Sequence, residues 1–485
     1  MKLGVFIQKI YKDSLSELIR ALFTDDEYVL VEDLKEMEKF NERLDIDIDN
    51  KNISVTLTIG EQKYIKTLNI SKQFSEIILK ERSSINFYVK KLCYEHITKY
   101  YGRISPWGIL TGVRPVKLVH KMKRENWADD RVIDELCQKF LVSIENAELI
   151  SDIANRELKI INDSKGKASL YISIPFCPSK CVYCSFPTHV YSKWKHLENE
   201  YIDALCDEIE RFSKYIKEPI HTVYIGGGTP SSITRKSIKQ MLEAIENNVN
   251  LSNVIEFTYE AGRPDTIDEE LLMMLKKYGV TRLSINPQTF NDEILKKMGR
   301  THSAKSIVYA YNLARKYDFD INMDLILGLP DEDAESYRIT LEKIIELSPE
   351  NVTIHSLAIK RAAELKHFIS KYSFMESKTI EKLVEESLDL LSREGYSSYY
   401  LYRQQHISGN LANIGYAKEH KMGIYNILMM EEVHPIYSFG VGGVSKIFES
   451  EKNKFKSVPN FRDIVPYLER FEEMLEKKIE ILTNN

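Results

Sequence analysis

Cys177, Cys181 and Cys184 fall within eight consecutive positions of the stretch IPFCPSKCVYCSFP, in a chain of 485 residues that holds six cysteines in all. Thiols this close together can bind a metal ion or an iron–sulfur centre. The odd count disfavours a disulfide framework. A structural zinc needs four closed ligands, and His189 could complete a Cys3His set. A four-iron cluster normally takes four cysteines, so three would leave one iron open to a substrate or cofactor. Residue types alone leave zinc and cluster both standing. The other cysteines, Cys93, Cys137 and Cys206, sit in helix-like contexts such as YVKKLCYEH and read as small buried apolar residues.

The elements around the triplet favour the cluster. From residue 169, short β-branched runs alternate with amphipathic helical stretches: LYISI (170–174), TVYIGG (222–227), VIEFTYE (254–260), RLSIN (282–286), DINMDLILG (320–328) and NVTIHSL (351–357). Repeated strand–helix units predict a parallel sheet with right-handed crossovers. Alternate residues of a strand share a face. One face carries Glu256, Thr258, Glu260, Arg282, Ser284, Asn286, Asp320, Asn322 and Asp324; the other carries Phe257, Leu283, Ile285, Ile321, Met323 and Leu325. The apolar face fits against helices, and the polar face needs a cavity, which predicts a curved partial barrel with a polar lumen. Active sites of such barrels form at the carboxyl ends of the strands. The cysteine loop directly follows the first strand, a place that a zinc knuckle has no reason to prefer. Later strand ends carry the Gly-rich turn IGGGTPSS, Glu260, Gln288 with Arg300, and Asp324 before a Gly-Leu-Pro turn.

The rest of the chain divides by rhythm. LDIDIDNKNISVTLTIGEQKYIKTLNI alternates with period two and predicts an antiparallel meander. Helices follow to about residue 162, interrupted by YGRISPWGILTGVRPVKL. The polar linker NDSKGKAS (162–169) marks a boundary. The expected domains are therefore 1–162, 168–370 and 371–485, the last ending in an amphipathic helix within FRDIVPYLERFEEMLEKKIEIL. A net charge of -5 gives no reason to expect nucleic acid or an anionic membrane as partner. No apolar run approaches the ~20 residues of a membrane span. The amino-terminal residues lack a secretory pattern. Together with the cysteine usage, these features predict a reducing, cytoplasmic protein.

YISIPFCPSKCVYCSF resembles the CxxxCxxC signature of the radical S-adenosylmethionine (SAM) enzymes. The ordered set of cysteine loop, GGGTP, a strand ending in Glu260, RLSINPQTF and DLILGLP resembles the oxygen-independent coproporphyrinogen III dehydrogenases and their relatives. LTGVRPVKL, LAIKRAAEL and YLYRQQHISGNLANIGYA resemble the N-terminally extended, HemZ-type branch. The resemblance implies an α/β fold: a partial (β/α)6 radical SAM barrel with an N-terminal α+β domain and a C-terminal α/β extension. It implies a [4Fe-4S] cluster on Cys177, Cys181 and Cys184, and SAM held by Tyr171, Gly227, Gly228, Thr229, Glu260, Gln288, Arg300, Asp324, Ala358 and Val444. Reductive cleavage of SAM then gives a 5′-deoxyadenosyl radical, which removes a propionate β-hydrogen. The substrate is a tetrapyrrole, two of whose four propionates leave as CO2, and an electron donor and an acceptor are needed. Carboxylates call for cations, and Arg114, Lys117, Lys360, Arg361 and Arg403 are the candidates. Gln404, Asn410 and Tyr416 are candidates for lining the cavity or for satisfying a buried turn. In the well-studied dehydrogenases a fourth cysteine stands two positions after the last ligand; here it is Phe186, as in the haem-chaperone branch. The His-Asn and Tyr-Trp motif of that branch is absent from SGNLANIGYA. A haem-binding chaperone and a haem-degrading methyltransferase are the alternatives.

Overall fold

The computed structural model describes residues 2–6, 12–23, 27–31, 33–49, 52–69, 81–112, 114–359, 363–403, 412–449 and 454–483. The chain forms two compact units, Met1–Asp152 and Ile153–Asn485.

The first unit holds β1 (Leu3–Phe6), β2 (Tyr28–Val31), β3 (Glu42–Ile48), β4 (Asn52–Ile59) and β5 (Gln62–Asn69), ordered β2-β1-β3-β4-β5. β3 to β5 form the expected antiparallel meander. β1 runs parallel to both β2 and β3; β1 and β2, four residues each, are too short to show a period in sequence. Ile46, Ile53, Val55 and Leu57 project inward against Leu18 and Ile19 of one helix and Val89, Cys93 and Ile97 of another. Cys93 is a core residue, as read from its context, while Cys137 and Cys206 are only part-buried.

The second unit contains β6 (Ala168–Ile174), β7 (Phe176–Cys177), β8 (His189–Val190), β9 (Ile220–Gly227), β10 (Glu256–Gly262), β11 (Arg282–Ile285), β12 (Asp320–Leu327) and β13 (Asn351–Ser356). Beyond them lie β14 (Ser397–Arg403), β15 (Ala412–Ala417), β16 (Ile436–Phe439), β17 (Val444–Glu449) and β18 (Lys454–Pro459). Eleven strands make one sheet, ordered β14-β15-β13-β12-β11-β10-β9-β6-β16-β17-β18. β6 and β9 to β13 are mutually parallel, and among the described residues the sheet does not close. This is the expected six-stranded partial barrel. Helices follow its strands because the turns end in capping residues: Thr234, Asp268, Asn291 and Asp333 each accept a backbone N–H of the first turn.

The chain beyond residue 370 is not set apart as expected. β15 pairs antiparallel with β13, and β16 pairs parallel with β6, so both edges of the barrel sheet are extended from the C-terminal segment. The boundary between units falls inside the helix Ile144–Asp163 rather than in the polar linker. The last amphipathic stretch is two helices, Ile464–Glu469 and Phe471–Thr483. Its buried Lys478 pairs with Glu208 at 2.8 Å. Glu208 also accepts from Gly440 N, Asn460 Nδ2 and the Tyr467 hydroxyl. Four donors on one carboxylate satisfy a charge that burial would otherwise make costly.

The two faces of the barrel strands differ as their alternation predicts. Leu170, Ile172, Val223, Ile225, Leu283, Ile321 and Met323 are buried in an apolar layer. The opposite face is polar and, in its lower part, packed rather than hollow. Arg282 bonds Glu256 at 3.3 Å and also Asn351. Asn322 donates to Ser284 and Asp324 at 2.8 Å. Glu256 accepts from Ile424 N and Tyr425 N, so it caps the helix Ile424–Glu431. Part-exposed lumen residues, among them Tyr171, Tyr224, Glu260 and Asp324, lie toward the carboxyl ends of the strands. Among the described residues, no helix is long and apolar enough to cross a membrane.

Candidate metal and cofactor site

Cys177 lies in β7, which pairs with β8 and so pins both ends of the cysteine loop. The Gly-Gly-Gly turn after β9 packs directly on this loop. A Cβ on Gly228 would stand 2.5 Å from the Phe176 carbonyl and 3.0 Å from Cys177 Sγ, so only glycine fits. Thr229 donates to Cys177 Sγ at 3.6 Å. Arg300, itself buried, places Nη1 4.0 Å from Cys181 Sγ and 3.2 Å from the Tyr183 hydroxyl, and bonds the Asn286 carbonyl. Burial pushes the Cys177 thiol up to about 11, against the hydrogen bond from Thr229. A thiol so placed becomes a thiolate when a metal centre compensates its charge.

The donor set fits a cluster better than one zinc ion. Thiolates on a single tetrahedral zinc, each about 2.3 Å from the metal, must lie roughly 4 Å apart. Among the described residues these three sulfurs are not all within 4.8 Å of one another. His189, the fourth ligand that zinc would need, has Nε2 3.9 Å from Asp463 and its ring 4.5 Å from that of Trp194.

Beside the thiols, Glu260 accepts hydrogen bonds from the Tyr224 hydroxyl and Gly227 N–H. Burial, reinforced by the Asp324 charge, still raises its carboxyl to about 8. Near neutral pH it can therefore donate as well as accept. Tyr171, Tyr224 and Tyr425 stack beside it, with centroids 4.7 to 6.3 Å apart. Gln288 holds a left-handed backbone (φ 69), fixed by its N–H to the Asp324 carbonyl and by Ile326 N–H to its own carbonyl. Among the described residues, its buried Oε1 has no hydrogen-bond partner. Strain together with an unpartnered acceptor is a pattern that a polar ligand would complete.

Eight of the ten residues expected around a cofactor are thus linked through direct neighbours: Tyr171, Gly227, Gly228, Thr229, Glu260, Gln288, Arg300 and Asp324. Ala358 follows β13 and Val444 opens β17. Arg114 and Lys117 belong to the first unit. Arg403 ends β14 and is buried. Lys360, Arg361, Gln404 and Asn410 lie outside the described residues. Tyr416 does not line the lumen; it is buried beside Tyr337 of the helix Ala334–Leu347. Phe186 is 63% exposed.

Sequence reasoning missed several residues. Tyr224 could have been found by parity, since it faces Tyr171 across the β6–β9 register. His355, on β13, stands 3.8 Å from Asp324 and bonds Tyr402 at 3.2 Å. Arg263, in the GRPD turn after Glu260, is 3% exposed and donates to Ser179 inside the cysteine loop at 2.8 Å.

Residues 171–344 match the radical SAM superfamily. The chain is 36% identical over 430 residues to the oxygen-independent coproporphyrinogen-III oxidase-like protein HemZ of Bacillus subtilis (strain 168), covering 87% of this chain and 85% of that one. It is 30% identical over 260 residues to the heme chaperone HemW of Escherichia coli (strain K12), covering 53% and 66%. Among solved structures it resembles the coproporphyrinogen III oxidase HemN of Escherichia coli, with a TM-score of 0.53, 21% identity, and coverage of 66% of this chain and 73% of that one. That last likeness speaks for the fold alone. The chain belongs to the radical SAM family, among the HemZ-like relatives of oxygen-independent coproporphyrinogen-III oxidase.

Proposed function

We propose that the protein is a radical SAM enzyme that oxidatively decarboxylates coproporphyrinogen III to protoporphyrinogen IX without oxygen. The carrying observation is the three-thiol loop at the carboxyl ends of parallel strands, with Thr229 and Arg300 beside its sulfurs. Cys177, Cys181 and Cys184 would hold a [4Fe-4S] cluster. Tyr171, Gly227, Gly228, Thr229, Glu260, Gln288, Arg300, Asp324, Ala358 and Val444 would hold SAM. Bound there, cluster and SAM supply a one-electron cleavage that yields a hydrogen-abstracting radical.

The chain's own residues have distinct tasks in this reading. Glu260 and Gln288 offer the polar contacts that a ribose or an amino acid group needs. Arg300 offsets thiolate charge at Cys181. The polar network packed below the tyrosine stack closes the lower part of the lumen, which limits the water that could reach an open radical. Arg114, Lys117, Lys360, Arg361 and Arg403 are proposed to meet substrate propionates, while electron donor and acceptor come from outside the chain.

A second reading is haem binding without turnover, favoured by the several relatives named heme chaperone HemW and by Phe186 in place of a fourth cysteine. Anaerobic reconstitution separates the two. Cleavage of SAM to 5′-deoxyadenosine that rises when coproporphyrinogen III is added supports the enzyme. Stoichiometric haem binding, with SAM cleavage indifferent to the porphyrinogen, favours the chaperone.

A further inference from the structure

We infer that Arg263 is a positioning residue that clamps the Cys177–Cys184 loop in the shape that receives the metal centre. This deepens the proposed reading and rests on it only for the nature of that centre.

Three observations carry the inference. First, Arg263 is anchored rigidly. Its Nε and Nη2 form a fork on Asp265, both at 3.1 Å, and Nη2 also donates to Thr301 Oγ1 at 2.7 Å. Bidentate pairing of this kind fixes the guanidinium plane. Second, the remaining nitrogen, Nη1, points into the cysteine loop and donates to Ser179 Oγ at 2.8 Å. Ser179 passes the bond on, donating to the Gly299 carbonyl at 2.6 Å. Third, the loop lies closely on that same segment. Val182 N donates to the Met298 carbonyl at 3.2 Å, and a Cβ on Gly299 would stand 2.9 Å from the Lys180 carbonyl. One buried guanidinium therefore ties the β10 turn, the segment 298–301 and the loop between two of the thiols. A loop held from outside loses less conformational entropy on taking up that centre. Lysine, a single point charge, cannot make the fork and reach Ser179 at once.

The test has a readout that needs no cluster. Amide hydrogen exchange at residues 179–182 is measured in the metal-free full-length chain, for the parent, Ser179→Ala, Arg263→Met, Arg263→Lys and the double variant. Iron retention against a chelator is then followed in the reconstituted proteins. Loss of one hydrogen bond to a charged group corresponds to about a tenfold change. We expect Ser179→Ala to speed exchange at 179–182, and iron loss, by about that factor. Arg263→Met should do at least as much, the lysine variant should not restore protection, and the double variant should be no worse than Arg263→Met. Unchanged exchange in Ser179→Ala, or additive losses in the double variant, would overturn the clamp. Should Arg263→Met unfold, the serine variant still decides. A parent that takes up no iron–sulfur centre would sink the proposed function instead, and the metal-free exchange would still judge the clamp.

Discussion

In the five-stranded sheet, β5 presents its outer residues to water and is exposed or half-buried along its length, while Ile53, Val55 and Leu57 of β4 face the core. In the eleven-stranded sheet, both faces of the barrel strands are covered, and one of them is polar. Ser169 bonds Thr222 and His434 in full burial, and Thr353 bonds Asn322. The first arrangement is the ordinary economy of an antiparallel sheet. The second buries groups that are costly unless paired. The difference teaches where function lies. Most polar side chains are matched to one another deep in the lumen, Thr258 Oγ1 excepted; nearer the strand ends, Gln288 Oε1 lacks a partner among the described residues.

That contrast can be broken by mutation. The largest effect is expected from Cys181→Ala, which should abolish SAM cleavage and the visible cluster absorbance while far-ultraviolet circular dichroism stays unchanged. Next, Glu256→Ala leaves buried Arg282 with Asp320 at 3.6 Å as its remaining carboxylate and uncaps the helix Ile424–Glu431. Losing a charge-assisted hydrogen bond and the cap together should cost about 2–5 kcal/mol, read by denaturant unfolding of the second unit. Leu57→Ala opens a cavity in the first core and should cost about 2–5 kcal/mol there, with iron content per chain unaltered. If it empties the cluster as well, the two units are not energetically separate.

The fourth variant sharpens the comparison through pH. Burial raises the Glu260 carboxyl from an ordinary 4.5 to about 8. The folded state keeps a proton that the unfolded chain sheds above about 4.5, so this group's contribution falls as pH rises through that window. Glu260→Gln should therefore raise the melting temperature of ligand-free protein more at pH 8 than at pH 5, while weakening SAM binding. An equal gain at both pH values would show that Glu260 is ionised in the fold. The smallest effect belongs to the first unit's solvent face. Lys66→Ala removes an exposed pair with Glu95 and should cost below about 1 kcal/mol, less in high salt.

The barrel was readable because six runs combined strand length, alternation and an intervening helical period, and each matched within a few residues. Glu260, Gln288 and Asp324 were readable because alternation put them on the polar face or just past a strand end. Other features were hidden for physical reasons. β1 and β2 are too short to show a period. The C-terminal strands gave no sign that they would join both edges of the barrel sheet, because pairing partners more than 50 residues apart leave no local trace. Arg263 carries no local signal in the sequence, since its contacts with Ser179 and Thr301 come from residues distant along the chain. The boundary between units escaped because it falls within one continuous helix.

The most direct test of the central claim follows the hydrogen itself. Coproporphyrinogen III deuterated at the propionate β-carbons is turned over anaerobically by reconstituted protein with SAM, a reductant and an electron acceptor, and the products are weighed by mass spectrometry. The account predicts deuterium in 5′-deoxyadenosine and loss of two CO2 units from the porphyrinogen. Unlabelled 5′-deoxyadenosine with the porphyrinogen intact would contradict it.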